Sequence, residues 1–492
     1  MLFNSHIFIF LFMPIVLALY FFIGRYDNRR ISNAFLLFSS LVFIFYGFNY
    51  IGLFSIIVSI AVNFSIYKLI LLYKDNVKNK NVLLALGVVI NSGTLILLKY
   101  YNTFVYHIDK FRNVDFVERD LILPLGISFY TFQQIAFLVD AYRGEVEECS
   151  LLDYSLYVSY FPRVISGPII SHEIFIPQIK STENLKFNWE NFNKGLYRFS
   201  VGLAKKVLIA DVLAAPATEV FANPECYFAF NSLIGALAYT LEIYFDFSGY
   251  CDMAIGISKM LNIDIPENFD SPYKATNIKD FWGRWHITLT NFLTKYIYIP
   301  LGGSRKGTLR TYVNIMVIFI ISGIWHGSGQ MKPFLIWGFA HGVAMVIYRL
   351  FKKYIDRWNP VFGWLVTFTF VSLAWVPFGI SSTEKIKAFF ANLFNLDGLM
   401  PIPPNLEAMF KTPGITFLEN NFAKFDFFTT RPYLYPVMFL MMTLIIVLNT
   451  KNAREVTGDF KPSLRMSLLT VLLLVWSIIS ISEVGTFIYA GF

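Results

Sequence analysis

Ile318-Phe319-Ile320-Ile321-Ser322-Gly323-Ile324-Trp325-His326-Gly327 closes a long apolar run with an imidazole. A run of this kind reads as a helix in lipid. An ionisable side chain at that depth is costly, so it marks a candidate functional site. Upstream stands a second Trp-His pair, within Asp280-Phe281-Trp282-Gly283-Arg284-Trp285-His286-Ile287. The chain has only six histidines, and these two follow a tryptophan at the edge of apolar sequence. Imidazole exchanges a proton near neutral pH, which suits it to general base catalysis.

The surrounding chain supports the membrane reading. Of its 492 residues 56% are hydrophobic, 18% aromatic and 15% charged, against about 25% charged in soluble domains. Approximate spans fall at 7–24, 31–47, 50–73, 82–106, 121–140, 152–170, 192–218, 228–260, 310–330, 334–350, 361–380, 433–449 and 466–483. Some of these are expected to be re-entrant or interfacial, leaving about eleven crossings in one all-α polytopic domain over residues 1–492. The first is no removable signal peptide, because it lacks a basic start and a small-residue cleavage site.

The net charge of +8 is explained by short basic loops rather than by nucleic-acid binding. Clusters at Arg25–Arg30, Lys74–Lys80, Arg349–Arg357 and Lys451–Arg465 all become cytoplasmic when the N-terminus is outside. Segment 381–432, with Pro401, Pro403, Pro404 and Pro413, is then an external loop and a candidate docking surface. Three cysteines without metal spacing indicate neither a disulfide framework nor a metal site.

Several segments break the apolar pattern. Asn262 to Pro300 carries Asp264, Glu267, Asp270, Arg284, His286, Asn291 and Lys295 among aromatics. Its polar groups cannot face lipid, so it lies at the interface or lines an enclosed cavity. Gly302 to Gly307 has the outer spacing of a P-loop, but Thr308 replaces the required Lys, which excludes nucleotide hydrolysis. A basic glycine turn there still suits a phosphate or a plain cytoplasmic loop. Asp246 and Asp252 stand in apolar sequence around Gly249. They read either as partners of a buried His or Arg, or as polar helix ends. Lys205 and Lys206 are expected to snorkel to the interface, and Arg163 to do the same, although Pro168 suggests a broken helix lining a cavity. His6, His107 and His172 are expected to be solvated, and His341 to be a packing residue. Neither a Gly-x-Ser-x-Gly elbow nor a His-Glu-x-x-His motif occurs.

Taken together, these segments resemble the bacterial branch of the membrane-bound O-acyltransferase family, which includes the membrane subunit of alginate O-acetylation. The matching stretches are Leu123 to Phe132, Val139 to Gly144, Gly167-Pro168-Ile169, Gly202 to Lys206 and Phe245 to Tyr250. More specific still are Phe281 to Ile287, Tyr298 to Gly303 and Gly323 to Gly327; the ending Phe487 to Phe492 also fits. They fill most of 120–345, the expected catalytic core. Gly283 departs from the pattern, since relatives often carry Arg there. The resemblance implies a ring of helices around a thin centre, pierced by a tunnel. It assigns the catalytic histidine to His326 and its companion to His286.

The expected activity is transfer of acetyl from cytoplasmic acetyl-CoA, used as a substrate with no bound cofactor, toward an envelope polysaccharide such as alginate or peptidoglycan. His326 would be the base. His286 would polarise the thioester carbonyl or orient the donor. Trp282, Trp285 and Trp325 would wall the tunnel, with Arg284, Asn291, Asp246 and Ser248 as further lining candidates. A covalent acetyl-enzyme is left open. The resemblance further implies an extracytoplasmic SGNH-type transferase as partner, contact with membrane lipid, and a place in the bacterial inner membrane. Two other readings stand beside it: a small-solute transporter with proton-relay histidines, disfavoured by the lack of repeated halves, and direct lipid or protein O-acylation.

Overall fold

A computed structural model describes residues 1–119, 123–124, 126–327, 329, 331–395, 402–410, 434–481 and 487–488. Every secondary-structure element among these residues is a helix. In chain order the helices are α1 (Phe8–Gly24), α2 (Arg29–Leu72), α3 (Val77–Arg112), α4 (Ile127–Arg143), α5 (Leu151–Ser159), α6 (His172–Lys180), α7 (Trp189–Ala204), α8 (Asp211–Ala222) and α9 (Ala229–Met260). Then follow α10 (Ile278–Arg284), α11 (Ile287–Leu293), α12 (Thr308–His326), α13 (Met331–Leu350), α14 (Lys352–Ile355), α15 (Pro360–Ala374), α16 (Val376–Gly379), α17 (Thr383–Leu393) and α18 (Pro404–Met409). The last are α19 (Leu434–Asn449), α20 (Ala453–Gly458) and α21 (Leu464–Ile479).

Six stretches are long and apolar enough to cross a bilayer: Arg29–Gly47, Asn49–Leu72, Val77–Arg112, Thr308–His326, Met331–Leu350 and Pro360–Gly379. Three shorter apolar helices, Phe8–Gly24, Leu434–Asn449 and Leu464–Ile479, accompany them. The expected spans 31–47 and 50–73 are two arms of α2. Asn49 adopts φ 59° at the bend, and its side chain caps the second arm by accepting from Ile51 N at 2.8 Å. The expected span 152–170 is corrected. Tyr160 leaves helical geometry after the nine-residue α5, and at about 1.5 Å per residue nine residues cannot cross.

α7 and α9 pack with their backbones nearly touching. A Cβ built on Gly202 would lie 2.6 Å from the Gly249 carbonyl oxygen, and one on Gly195 would lie 2.5 Å from that of Gly256. Both glycine pairs are seven residues apart, so they stack on one face of each helix.

That close approach brings buried charges together. Arg198 donates to Asp252 Oδ1 at 2.7 Å and pairs with Glu267, while Lys205 Nζ reaches Asp252 Oδ2 at 2.6 Å. Lys206 Nζ lies 2.6 Å from Asp246 and 2.9 Å from Asp211. Lys205 and Lys206 therefore do not snorkel; they neutralise acids inside the protein. Arg163 is also buried, 2% exposed, and donates to Gln133 Oε1 and to the carbonyls of Tyr157 and Val158. The helix-end reading of Asp246 and Asp252 fails as well, because α9 runs unbroken through Gly249.

The buried apolar side chains form two clusters. One gathers α1 to α6 with Phe199, Leu203, the C-terminal part of α9, Phe292 and Trp325; the other gathers Trp285, Trp337, Trp375 and Phe378 with the N-terminal half of α9. The external-loop expectation for 381–432 falls mostly outside the described residues. Within them, α17 packs beside Ala222 and Pro224, to whose carbonyls Lys385 and Asn392 donate.

Candidate active site

α10 and α11 are too short to be spans, and Trp285 and His286 join them. Asn277 caps α10 by accepting from Asp280 N at 2.9 Å. His286 sits at φ 46°, ψ 52°, a left-handed conformation that a side chain tolerates only when its surroundings impose it. What imposes it is Asn268. The Asn268 backbone carbonyl accepts from Ile287 N at 3.0 Å. Its side-chain Oδ1 accepts from Thr288 N at 3.2 Å and from the Thr288 hydroxyl at 3.0 Å, and lies 3.1 Å from His286 Nδ1.

An atom that accepts a backbone N–H must be the amide oxygen, and an oxygen only accepts. His286 Nδ1 therefore carries hydrogen, and the neutral ring presents a lone pair at Nε2. Asn268 was missed from sequence. Its only signal is an amide in Ile265-Pro266-Glu267-Asn268-Phe269-Asp270, within the polar segment.

His326 ends α12, where the main chain turns to φ −63°, ψ 144° at Gly327. Its ring centroid lies 4.5 Å from Trp325, 5.3 Å from Trp337 and 5.1 Å from Phe378, edge-on in each case. His286 lies 6.5 Å from the same Trp325, 4.8 Å from Phe247 and 6.4 Å from Phe129. Phe129 and Trp325 belong to one apolar cluster, and Phe247, Trp337 and Phe378 to the other. Both histidines are thus buried at the seam between the clusters, around one indole. Both rings are buried among aromatic side chains, His326 edge-on to its three neighbours and His286 edge-on to Phe247 and stacked on Phe129.

The other site candidates divide. Trp325 is central. Trp285 is buried against Phe281, Phe269 and Trp375, and Trp282 packs on Phe319, Trp337 and His341; both support the seam from behind. Arg284 bonds Asp280 at 2.7 Å and the Asp270 carbonyl at 3.2 Å, so it braces the polar segment instead of lining the site. Asn291 is exposed. Asp246 and Ser248 face Lys206 and Lys205, while Phe247 between them meets His286. Neighbouring positions on a helix point about 100° apart, so one residue of this motif reaches the histidines and its flanks do not. Gly283 faces open space, where a longer side chain would fit.

The remaining histidines also sort. His6 and His107 are exposed, as expected. His341 packs among Trp282, Trp337 and Phe370, and neither ring nitrogen has a hydrogen-bond partner among the described residues. His172 corrects the expectation of a solvated ring. It is 5% exposed, with Nε2 at 3.2 Å from Asp140 Oδ2. The same carboxylate receives Tyr296 OH at 2.6 Å and Lys295 Nζ at 3.3 Å. Asp140, His172 and Glu173 have ligand atoms close enough to hold a cation. Lys295 already supplies the positive charge there, pairing with Asp140 at 3.2 Å and Glu173 at 3.7 Å. This cluster ties α4 and α6 to the segment following α11.

Similarity to known proteins agrees with this geometry. The sequence model of the membrane-bound O-acyltransferase family matches residues 41–383. A peptidoglycan O-acetyltransferase of Helicobacter pylori is 39% identical over 430 residues, 81% of each chain. A probable alginate O-acetylase of Pseudomonas aeruginosa is 36% identical, covering 80% of this chain and 75% of its own. A teichoic acid D-alanyltransferase of Bacillus subtilis is 28% identical over 51% of this chain and 67% of its own. The histidine seam lies inside the matched region, and the chain belongs to the membrane-bound O-acyltransferase family, as a polytopic membrane acyltransferase.

Proposed function

We propose that this enzyme moves an acetyl group from cytoplasmic acetyl-CoA across the membrane for O-acetylation of a cell-envelope polysaccharide, with an extracytoplasmic SGNH-type transferase completing the modification. The observation that carries this reading is the pair of buried histidines sharing Trp325 at the seam of two aromatic clusters. The names of the relatives, which are peptidoglycan and alginate O-acetylating enzymes, support the class of acceptor.

His326 takes the proton of an acceptor hydroxyl as its oxygen attacks the thioester carbonyl. The tetrahedral intermediate collapses, the C–S bond breaks, and the imidazolium returns a proton to the leaving thiolate. Neutral His286 offers a lone pair at Nε2, since Asn268 holds its hydrogen at Nδ1. Polarising a carbonyl requires an N–H, so the tautomer favours the orienting role: Nε2 accepts from the hydroxyl or thiol and aims it. The aromatic walls keep water from hydrolysing the thioester. The bacterial inner membrane with the N-terminus outside fits this direction of transfer.

The test is purified protein in nanodiscs with acetyl-labelled CoA and an envelope glycan, with and without a secreted SGNH-type transferase. The expected result is label on a glycan or partner hydroxyl, lost in His326→Ala while the folded fraction is unchanged. Transfer surviving in that variant would overturn the assignment of the base.

A further inference from the structure

The helix that carries His326 ends at that residue, so its last carbonyls have no partners within the helix. α3 supplies them. Lys99 Nζ donates to the Trp325 carbonyl, and Tyr100 OH donates to the Ile324 carbonyl at 2.5 Å. One turn further along α3, Thr103 Oγ1 donates to the Gly329 carbonyl at 2.6 Å. The Lys99 carbonyl in turn accepts from Gly329 N at 3.2 Å. α3 bends here: Tyr100 leaves helical geometry, with φ −115°, ψ 15°. The three α3 side chains thus grip the main chain on both sides of His326. Gly327 permits the grip, since a Cβ there would lie 2.3 Å from Tyr100 OH.

Lys99 is notable on its own. It is 7% exposed and lies over the Trp325 ring at 5.6 Å, and no carboxylate pairs with it among the described residues. A buried ammonium without a counter-ion is expensive. At this position the negative end of the α12 dipole and the indole face both favour a cation.

We propose that Lys99 and Tyr100 are positioning residues for the catalytic step: a strap from the bend of α3 that fixes the last turn of α12 and so aims the His326 imidazole. This rests on the reading of His326 as the base. A positioning residue acts on the chemical step and leaves donor binding alone, because neither side chain touches His286 or Asn268 in the bonds described above. A misplacement of about 1 Å is enough for roughly a hundredfold loss in rate.

The experiment measures kcat and donor KM for acetyl transfer in Lys99→Met, Tyr100→Phe and His326→Ala, each with its melting temperature in detergent. Lys99→Met keeps the length and removes the donor; Tyr100→Phe removes one hydroxyl and is the mildest probe should Lys99→Met fail to fold. The expected result is a kcat about ten- to a hundredfold lower in Lys99→Met and about three- to tenfold lower in Tyr100→Phe, with donor KM within about twofold of the parent. If His326→Ala is inactive while Tyr100→Phe and any folded Lys99→Met keep the parent kcat, the strap is refuted and the base stands. A loss matched by a lower folded fraction, or by a parallel rise in KM, also refutes positioning. If His326→Ala retains the parent rate, the reading of the base fails instead.

Discussion

Replacing Asn268 with Leu tests the most constrained part of the site. The side chain keeps its approximate volume but loses the oxygen that serves His286 Nδ1, Thr288 N and the Thr288 hydroxyl. The hydroxyl is free to rotate. The two N–H groups are not, and both are buried. Leaving a buried donor unsatisfied costs about 1–3 kcal/mol, so the substitution should destabilise by about 2–6 kcal/mol. The entropy of unfolding is about 2 cal/mol/K per residue, or about 1 kcal/mol/K for a chain of this length. The melting temperature should therefore fall by about 2–6 °C. Cys149 and Cys251 are buried and Cys226 is exposed. A thiol-reactive fluorophore in a Cys226→Ser background therefore reports unfolding with little background.

The second arm is His286→Phe, which removes one of the stranded donors. The double variant should recover about 1–3 kcal/mol relative to additivity. A coupling below about 0.5 kcal/mol, within the scatter of independent sites, would refute the claim that Asn268 holds the His286 hydrogen.

Three further outcomes are expected. Gly202→Val and Gly249→Val should abolish folded protein on size-exclusion chromatography, because added atoms meet backbone at 2.6 and 2.8 Å, whereas Gly93→Ala, in open space, should be neutral or slightly stabilising. Lys206→Met strands the buried Asp246 and should cost about 3–5 kcal/mol in thermal unfolding; adding Asp246→Leu should restore part of that loss. Cys226, exposed between α8 and α9, should react in whole cells with a membrane-impermeant maleimide if the N-terminus is outside, and absence of labelling would reverse the topology.

The spans were readable because lipid imposes one rule on every residue of a helix: stay apolar over about twenty positions. The histidines were readable for the opposite reason, since they violate that rule. A charged or polar side chain near an apolar run usually reaches water, but Lys205, Lys206, Arg163 and His172 do not follow that rule. In the fold each meets a partner far along the chain: Asp252, Asp246, Gln133 and Asp140. Asn291 is the opposite case, a polar residue of the same segment that is exposed. Segment 152–170 failed on length, since an apolar stretch broken at Tyr160 ends a helix as firmly as a charge would.

The amino-acid sequence by itself determined the membrane class, the helical content and the family, and it nominated the two histidines as candidates, because these depend on composition, on periodicity along one helix and on short contiguous motifs. The tertiary structure alone decided what surrounds those histidines. Trp325 as their common neighbour, Asn268 as the anchor of one and the bend of α3 as the support of the other all join residues distant in the chain. Such contacts are fixed by how helices cross, here by glycine faces that let α7 and α9 approach to backbone contact. No local pattern encodes which side chain a crossing will bring opposite another.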